Sequence, residues 1–230
     1  MSRSLVIVGA GSMGREAYAY ARELIAAGRA QGYDRVSGFV DLGDTPGTYL
    51  SRFSLEYDFI DTLATHQHRD DFVYVTASGS VSEKRRAVEA LPADARWANI
   101  IHPTACVAAS ARLGHGIVLA PFTFVGLDAE LGDHVLLNAY ASCGHDSRVG
   151  RYSILSPYAA ITGNVVLEDE VLLGMHSSVI PGRRVGRRSS VSAGSAVLRD
   201  VPPGSLIAGN PAKGRVMYHV EDAPAPDARG

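Results

Sequence analysis

Three residues near the middle of the chain carry groups suited to moving a proton. They lie in the stretch Asn138-Ala-Tyr-Ala-Ser-Cys-Gly-His145-Asp146. An imidazole takes up a proton near neutral pH, and a carboxylate beside it can orient the ring and stabilise its cation. Asn138 stands seven residues before the histidine. A solvated histidine on a regular surface would read the same way, so both readings stay open on these residues alone. A second group opens the chain. Gly9-Ala-Gly-Ser-Met-Gly14 follows the apolar run Leu5-Val-Ile-Val8 and precedes helix-favouring residues from Arg15 to about Ala27. A glycine loop between strand and helix turns backbone N–H groups and a helix N-terminus toward phosphate. Asp41 ends a second strand-like run, Arg35–Asp41, where an acid often meets a ribose or a base. Gly9, Gly11, Ser12, Met13 and Asp41 therefore form a candidate nucleotide or nucleotide-sugar site. NAD is a rival on this motif, and a turn that only packs helix on sheet is the bland alternative.

The remaining histidines read as less chemical. His66 and His68 fall in a polar loop and are expected at the surface, and His219 falls in the tail. His102 precedes Pro103 and reads as structural. His115, His134 and His176 occupy outward or turn positions of the repeat described below and are expected to be solvated. The repeat's histidines form no close His-x-His pair, so no metal site is expected. There is no nucleophile elbow and no Walker loop. Net charge is −2, which gives no basic balance for nucleic acid. Cys106 and Cys143 read as buried thiols of a reducing compartment rather than a disulfide. The opening Met-Ser-Arg-Ser-Leu-Val-Ile-Val reads as a first strand, not a signal peptide, and no apolar run approaches a membrane span. A cytoplasmic protein is expected.

Two kinds of element must position these groups. From Val107 to Val197 an aliphatic residue recurs every six positions, sixteen times, with Cys143 as the single substitute. Four residues after each comes a small or β-branched residue, and only Arg183 breaks that pattern. Period six suits neither an amphipathic helix nor an alternating strand. It suits a parallel β-helix in which each hexapeptide forms one side of a triangular coil. Eighteen residues then make one coil, giving roughly five coils before Pro202-Pro203-Gly204, and residues 18 apart stack. The first part is different. Strands at 5–8, 35–41 and 72–76 alternate with helices at 15–27 and about 82–91, the signature of βαβ units and a parallel sheet. With 46% hydrophobic and 20% charged residues the chain can bury a core. The expected division is a Rossmann-like α/β domain over 1–102, a β-helix domain over 103–220 and a disordered tail over 221–230.

The glycine loop GAGSMG, the hexapeptide array with N-x₆-H-[DE], and Gly209-Asn-Pro-Ala-Lys213 together resemble the sialic-acid O-acetyltransferase and bacillosamine N-acetyltransferase group, the NeuD/PglD-like family. The resemblance runs from about Leu5 to Lys213. It implies a homotrimer of left-handed β-helices that uses acetyl-CoA to acetylate an amine or hydroxyl of a sugar in polysaccharide biosynthesis. The acceptor is often a nucleotide-linked 4-amino-4,6-dideoxy sugar. It further implies that His145 is the general base, Asp146 its orienting acid and Asn138 a substrate-facing amide. Gly163, one coil above the histidine, would present its N–H to the acetyl carbonyl. The CoA arm would pass Met175 and Ala193, and the glycine loop and Asp41 would hold the nucleotide sugar. Three positions depart from the family pattern. Met13 stands where a histidine is usual, Ile154 replaces a second histidine, and Tyr158 replaces a glycine; the last two are expected to reshape the acyl end of the CoA site.

The reading that follows is direct acyl transfer from acetyl-CoA to a nucleotide-linked amino sugar, with O-acylation as its alternative. An NAD-dependent oxidoreductase would rest on the glycine loop and Asp41 but has no further catalytic domain. A non-catalytic trimeric scaffold would need no His-Asp pair.

Overall fold

The computed structural model describes residues 3–43, 59–218 and 220. His219 and the segment 221–230 lie outside them. The N-terminal part opens with β1 (Ser4–Val8), α1 (Ser12–Ala26) and β2 (Arg35–Asp41). β3 (Phe59–Thr62), β4 (Phe72–Thr76) and α2 (Val81–Glu89) complete it. The four strands form one parallel sheet in the order β3-β2-β1-β4. β1 and β4 are buried on both faces, which explains their largely apolar composition. Ser80 caps α2 by accepting from the Glu83 N–H.

The rest of the chain is a parallel β-helix of two-residue strands. Each strand pairs with the one 18 residues on, as in Leu119↔Leu137↔Leu155. Inward-facing residues such as Leu137, Cys143 and Val149 stack with the small residues four further on, such as Ala141 and Ser153, into one core. Between strands the chain turns a corner through a residue in the left-handed region. Phe122, Tyr140, Tyr158 and His176 form one edge (φ 56–61°). Asp128, Asp146 and Asn164 form the second, and His134, Tyr152, Glu170 and Arg188 the third. That conformation costs a non-glycine residue about 1–2 kcal/mol. A repeated bond offsets it, because the corner N–H donates to the carbonyl one coil below, as in Tyr140 to Pro121 and Asp146 to Leu127.

The coil is longer than the roughly five turns expected. One face carries seven parallel strands, from Ile100–Ile101 to Ser205–Ala208. The array thus begins below Val107 and continues past the proline pair. On this docked face the outward residues Ile100, Val118, Leu136 and Ile154 pack against the N-terminal sheet and α1 in one shared core. His102 clamps the seam, its Nε2 lying 3.0 Å from Glu23 of α1. The next face in the chain, bearing Phe124 and Ser142, leaves several apolar side chains uncovered and is the open face. The third bears Arg112, Glu130 and Arg148 and is the charged face.

Several expectations need correction. Cys106 is exposed, because it is the outward residue of its strand on the uncovered open face, beside the inward Val107; Cys143 is buried, which pushes its thiol up to about 12. His134 is buried, edge-on to Trp97 and stacked on Tyr152, because the N-terminal domain covers its corner; burial holds it down near 4. His66 and His68 are half-buried, each with a ring nitrogen 2.9 Å from the Tyr74 hydroxyl. No helix among the described residues is long and apolar enough to cross a membrane.

Candidate active site

His145 and Asp146 stand at the corner between the open and charged faces. Nδ1 of His145 lies 2.6 Å from Oδ2 of Asp146. An ionised carboxylate only accepts, so Nδ1 carries the proton and Nε2 keeps its lone pair for substrate. The left-handed turn at Asp146 folds its carboxylate back beside the ring of the residue before it (φ 57°). Three bonds beside the pair staple this coil to the next. Asn164 N–H donates to the His145 carbonyl at 2.9 Å. The buried Ser147 hydroxyl donates to the Thr162 carbonyl at 2.7 Å and accepts from the Val165 N–H at 3.0 Å. Ser147 was visible in the sequence only as a small residue of the repeat; its positioning role needs the coil stacking.

Gly163 lies directly above the imidazole. A Cβ there would stand on Cε1 and Nε2 of His145, so only glycine leaves the ring its place. The Gly163 N–H donates to no acceptor among the described residues, and a Cβ on the same glycine would lie 2.4 Å from Nε2. A proton acceptor and a free amide thus meet at one point, which is the arrangement an attacking nucleophile and a developing oxyanion require.

The other residues of the sequence reading lie elsewhere. Asn138 occupies the preceding corner, across the open face from His145, and its Oδ1 accepts from the Ala139 N–H. Met175 and Ala193 are exposed along that same corner, beside Tyr158 and His176. Ile154 is 2% exposed under the N-terminal domain, on the face opposite the His145 corner. It cannot touch an acyl group held at His145 of the same chain.

The glycine loop does converge on one cavity, of about 590 Å³, at the C-terminal ends of β1, β2 and β4. Gly9, Gly11, Ser12, Met13 and Asp41 all line it, and so does Arg86 of α2. Nothing in the sequence marks Arg86 beyond its place on a helix. Gly9 and Gly14 serve packing, since a Cβ on the first would lie 2.7 Å from the Ala77 carbonyl and one on the second would strike the Gly9 carbonyl. Gly11 is different, because a Cβ there meets nothing within 4 Å. It caps α1 without a side-chain bond, and the first turn holds no acid. The helix end is left open to an anion. Met13 is buried at 8% exposure yet reaches the cavity wall, where it offers an apolar contact only.

No family model and no curated sequence matches the chain. Solved structures do. The acetyltransferase domain of PglB from Neisseria gonorrhoeae is 27% identical with a TM-score of 0.78, over 93% of this chain and all of that one. The same domain is also known in complex with acetyl coenzyme A. A histidine variant of perosamine N-acetyltransferase from Caulobacter crescentus, in complex with CoA and GDP-perosamine, is 27% identical with a TM-score of 0.77, over 92% of this chain and 96% of that one. WeeI from Acinetobacter baumannii shares the fold at 20% identity and a TM-score of 0.79. The likeness runs over nearly the whole of each chain, and on that ground the protein is an acyltransferase with the architecture of the left-handed β-helix acetyltransferases.

Proposed function

We propose that this enzyme transfers an acetyl group from acetyl-CoA to the amine of a nucleotide-linked amino sugar, of the 4-amino-4,6-dideoxy type, in one direct step. The observation that carries the reading is the junction of His145 Nε2 with the free Gly163 N–H. The sugar amine attacks the thioester carbonyl while Nε2 takes its proton. The carbonyl electrons move onto oxygen, where the Gly163 N–H stabilises them. The intermediate collapses, the C–S bond breaks and CoA leaves as thiolate, which is then protonated. Asp146 holds the ring and its cation. Holding both substrates in place supplies much of the acceleration. The diphosphate of the acceptor lies at Gly11 and the open end of α1, with Arg86 beside it and Asp41 toward the ribose. The two structures at 27% identity support donor and acceptor class, since they hold acetyl coenzyme A in one case and CoA with GDP-perosamine in the other.

The active form is a homotrimer with its sites between subunits. The glycine-loop domain covers the face opposite the His145 corner, so one chain's nucleotide cavity cannot serve its own histidine. His145 and Asp146 are also 61% and 52% exposed, too open to exclude water without a second surface. Phe124, Leu127, Ile180 and Leu198 are exposed on and beside the open face, as a subunit contact requires. Acetyl-CoA as donor and two free cysteines fit a cytoplasmic enzyme.

The test is thiol release from acetyl-CoA with a panel of UDP-, GDP- and dTDP-linked 4-amino sugars and free sialic acid, with His145→Ala as control. Release that needs one amino sugar and His145 establishes the reaction. Release with sialic acid alone assigns O-acylation instead, and release that survives His145→Ala overturns the mechanism.

A further inference from the structure

β3 and β4 are the two edges of the N-terminal sheet, and the chain between them, residues 63–71, crosses from one to the other without a helix. A parallel crossover is usually a helix that meets its own backbone bonds and packs on the sheet. Here two histidines tie the crossover down instead. His66 Nε2 and His68 Nδ1 each lie 2.9 Å from the Tyr74 hydroxyl. Tyr74 is fully buried in the middle of β4, with Phe72 and Trp97 against its ring. Its hydroxyl has no other hydrogen-bond partner among the described residues.

A proton count shows what this bracket requires. A phenol carries one hydrogen, so it donates to one ring and accepts an N–H from the other. One of the two rings must face Tyr74 with a bare nitrogen. A proton on that nitrogen turns both rings into donors toward one oxygen and leaves the phenol hydrogen without an acceptor. The bracket therefore closes only while that ring is neutral. The charged groups around it are Asp61 on the turn, Asp71 at the foot of β4, and Arg69, which lies over Phe72 and pairs with Asp71. Burial holds His66 below its ordinary range, with Asp61 opposing and the charge of His68 adding.

Backbone bonds carry the bracket to the acceptor cavity. The His66 N–H donates to the Thr62 carbonyl at 2.9 Å. Oδ1 of Asp61 accepts from the Thr62 N–H at 2.8 Å and from the Thr65 hydroxyl. The Leu63 N–H donates to the Asp41 carbonyl at 2.8 Å. The turn 61–66 is thus one bonded piece, fastened to the end of β2 where Asp41 enters the cavity wall.

We propose that His66, Tyr74 and His68 are positioning residues for the acceptor, which hold the crossover and with it Asp41 in place while one imidazole is neutral, and loosen nucleotide binding when that ring takes up a proton. This rests on the reading of the glycine-loop cavity as the nucleotide-sugar site. The sign follows from proton binding. Below an ordinary histidine value of 6.5 the released turn holds a proton that the bracketed turn refuses. The bracket is complete above about pH 6.5 and weakens as pH falls.

The experiment is calorimetric titration of the intact protein with UDP-, GDP- and dTDP-glucose, from about pH 8 down to about pH 5.5. These diphosphates are diesters and keep a constant charge over that range. The tightest of the three is then titrated into His66→Gln with His68→Asn, and into Tyr74→Phe, each variant checked for a cooperative melt. Glutamine places its amide where His66 has Nε2, and asparagine where His68 has Nδ1, so the double variant keeps a donor and an acceptor and cannot titrate. Wild type is expected to bind about tenfold more weakly at the acid end, near the low end of what a buried hydroxyl left unmet costs. The double variant should match wild type at pH 8 and hold that affinity throughout. Tyr74→Phe should bind weakly at every pH. Wild-type binding that is flat with pH, or an acid loss that persists in the double variant, overturns the proposal. Wild type that binds none of the three at pH 8 sinks the reading of the cavity and the positioning role with it. A pH dependence that needs both histidines, without acyl transfer to any amino sugar, sinks the proposed reaction alone.

Discussion

The imidazole of His145 rests on Gly163, one coil above it in the β-helix, with no room for a methyl group between them. The atoms a Cβ would meet belong to the histidine ring and not to backbone, and Gly163 has no left-handed φ that an alanine would strain. Gly163→Ala should therefore fold normally and displace the ring from Asp146. The expected result is a kcat lowered by about 10²–10⁴, the range for losing a positioned base, with the melting temperature changed by no more than a degree or two. A variant that keeps wild-type kcat would show that the ring does not act from this position.

Asp146 allows a cleaner test of the pair than most carboxylates. Its φ of 57° is tolerated by asparagine nearly as well as by aspartate. Asp146→Asn thus removes the charge and keeps the turn. A hydrogen bond to a charged group is worth about 1.5–3 kcal/mol, so a fall in kcat of about ten- to a hundredfold is expected, smaller than for His145→Ala. The rate should be followed with acetyl-CoA saturating. Equal losses in the two variants would mean that Asp146 does more than orient the ring.

What the sequence disclosed, and what it hid, follow from one physical difference. A stacked coil writes its inward positions into the chain at a fixed period, so Val107 through Val197 announced both the architecture and the stacking of Gly163 on His145. The outward positions carry no such constraint until something covers them. His134 and Ile154 look like any other outward residue of the repeat, and only the docked N-terminal domain makes them buried. The same holds for Asn138, Met175 and Ala193. Their numbers place them on the right array, but which corner they share with which partner depends on folding the period into a triangle. The stack of rings on one edge is legible in the sequence, since Phe122, Tyr140, Tyr158 and His176 are 18 apart.

Gly11 separates ligand binding from folding in the N-terminal cavity. A Cβ there meets nothing within 4 Å, whereas one on Gly14 strikes the Gly9 carbonyl. Gly11→Ala should melt as wild type does and bind the acceptor's nucleoside diphosphate about tenfold more weakly, because a lost phosphate contact at a helix end is worth on the order of 1 kcal/mol or more. Gly14→Ala should lose structure in the first domain outright, seen as a lower melting temperature. Undiminished nucleotide binding by Gly11→Ala would move the diphosphate away from α1.

Lys84 carries the last prediction. It is fully buried on α2, its Nζ donates to no group among the described residues, and its charge acts on His134 across the domain seam. Burial pulls it from an ordinary 10.5 down to about 7. The sign follows from proton binding. Between about pH 7 and 10.5 the unfolded chain holds a proton on this amine that the folded chain does not. The penalty is therefore complete below about pH 7, shrinks as pH rises, and is gone above about 10.5. Lys84→Met fills the same space without the amine. It should raise the melting temperature at pH 7 by at least about 3 °C, since 1 kcal/mol moves a domain of this size by roughly 2–4 °C. The advantage should narrow steadily in scans up to pH 10. A variant less stable than wild type at pH 7, with the pH dependence unchanged, would mean that Lys84 is paired and charged inside the fold.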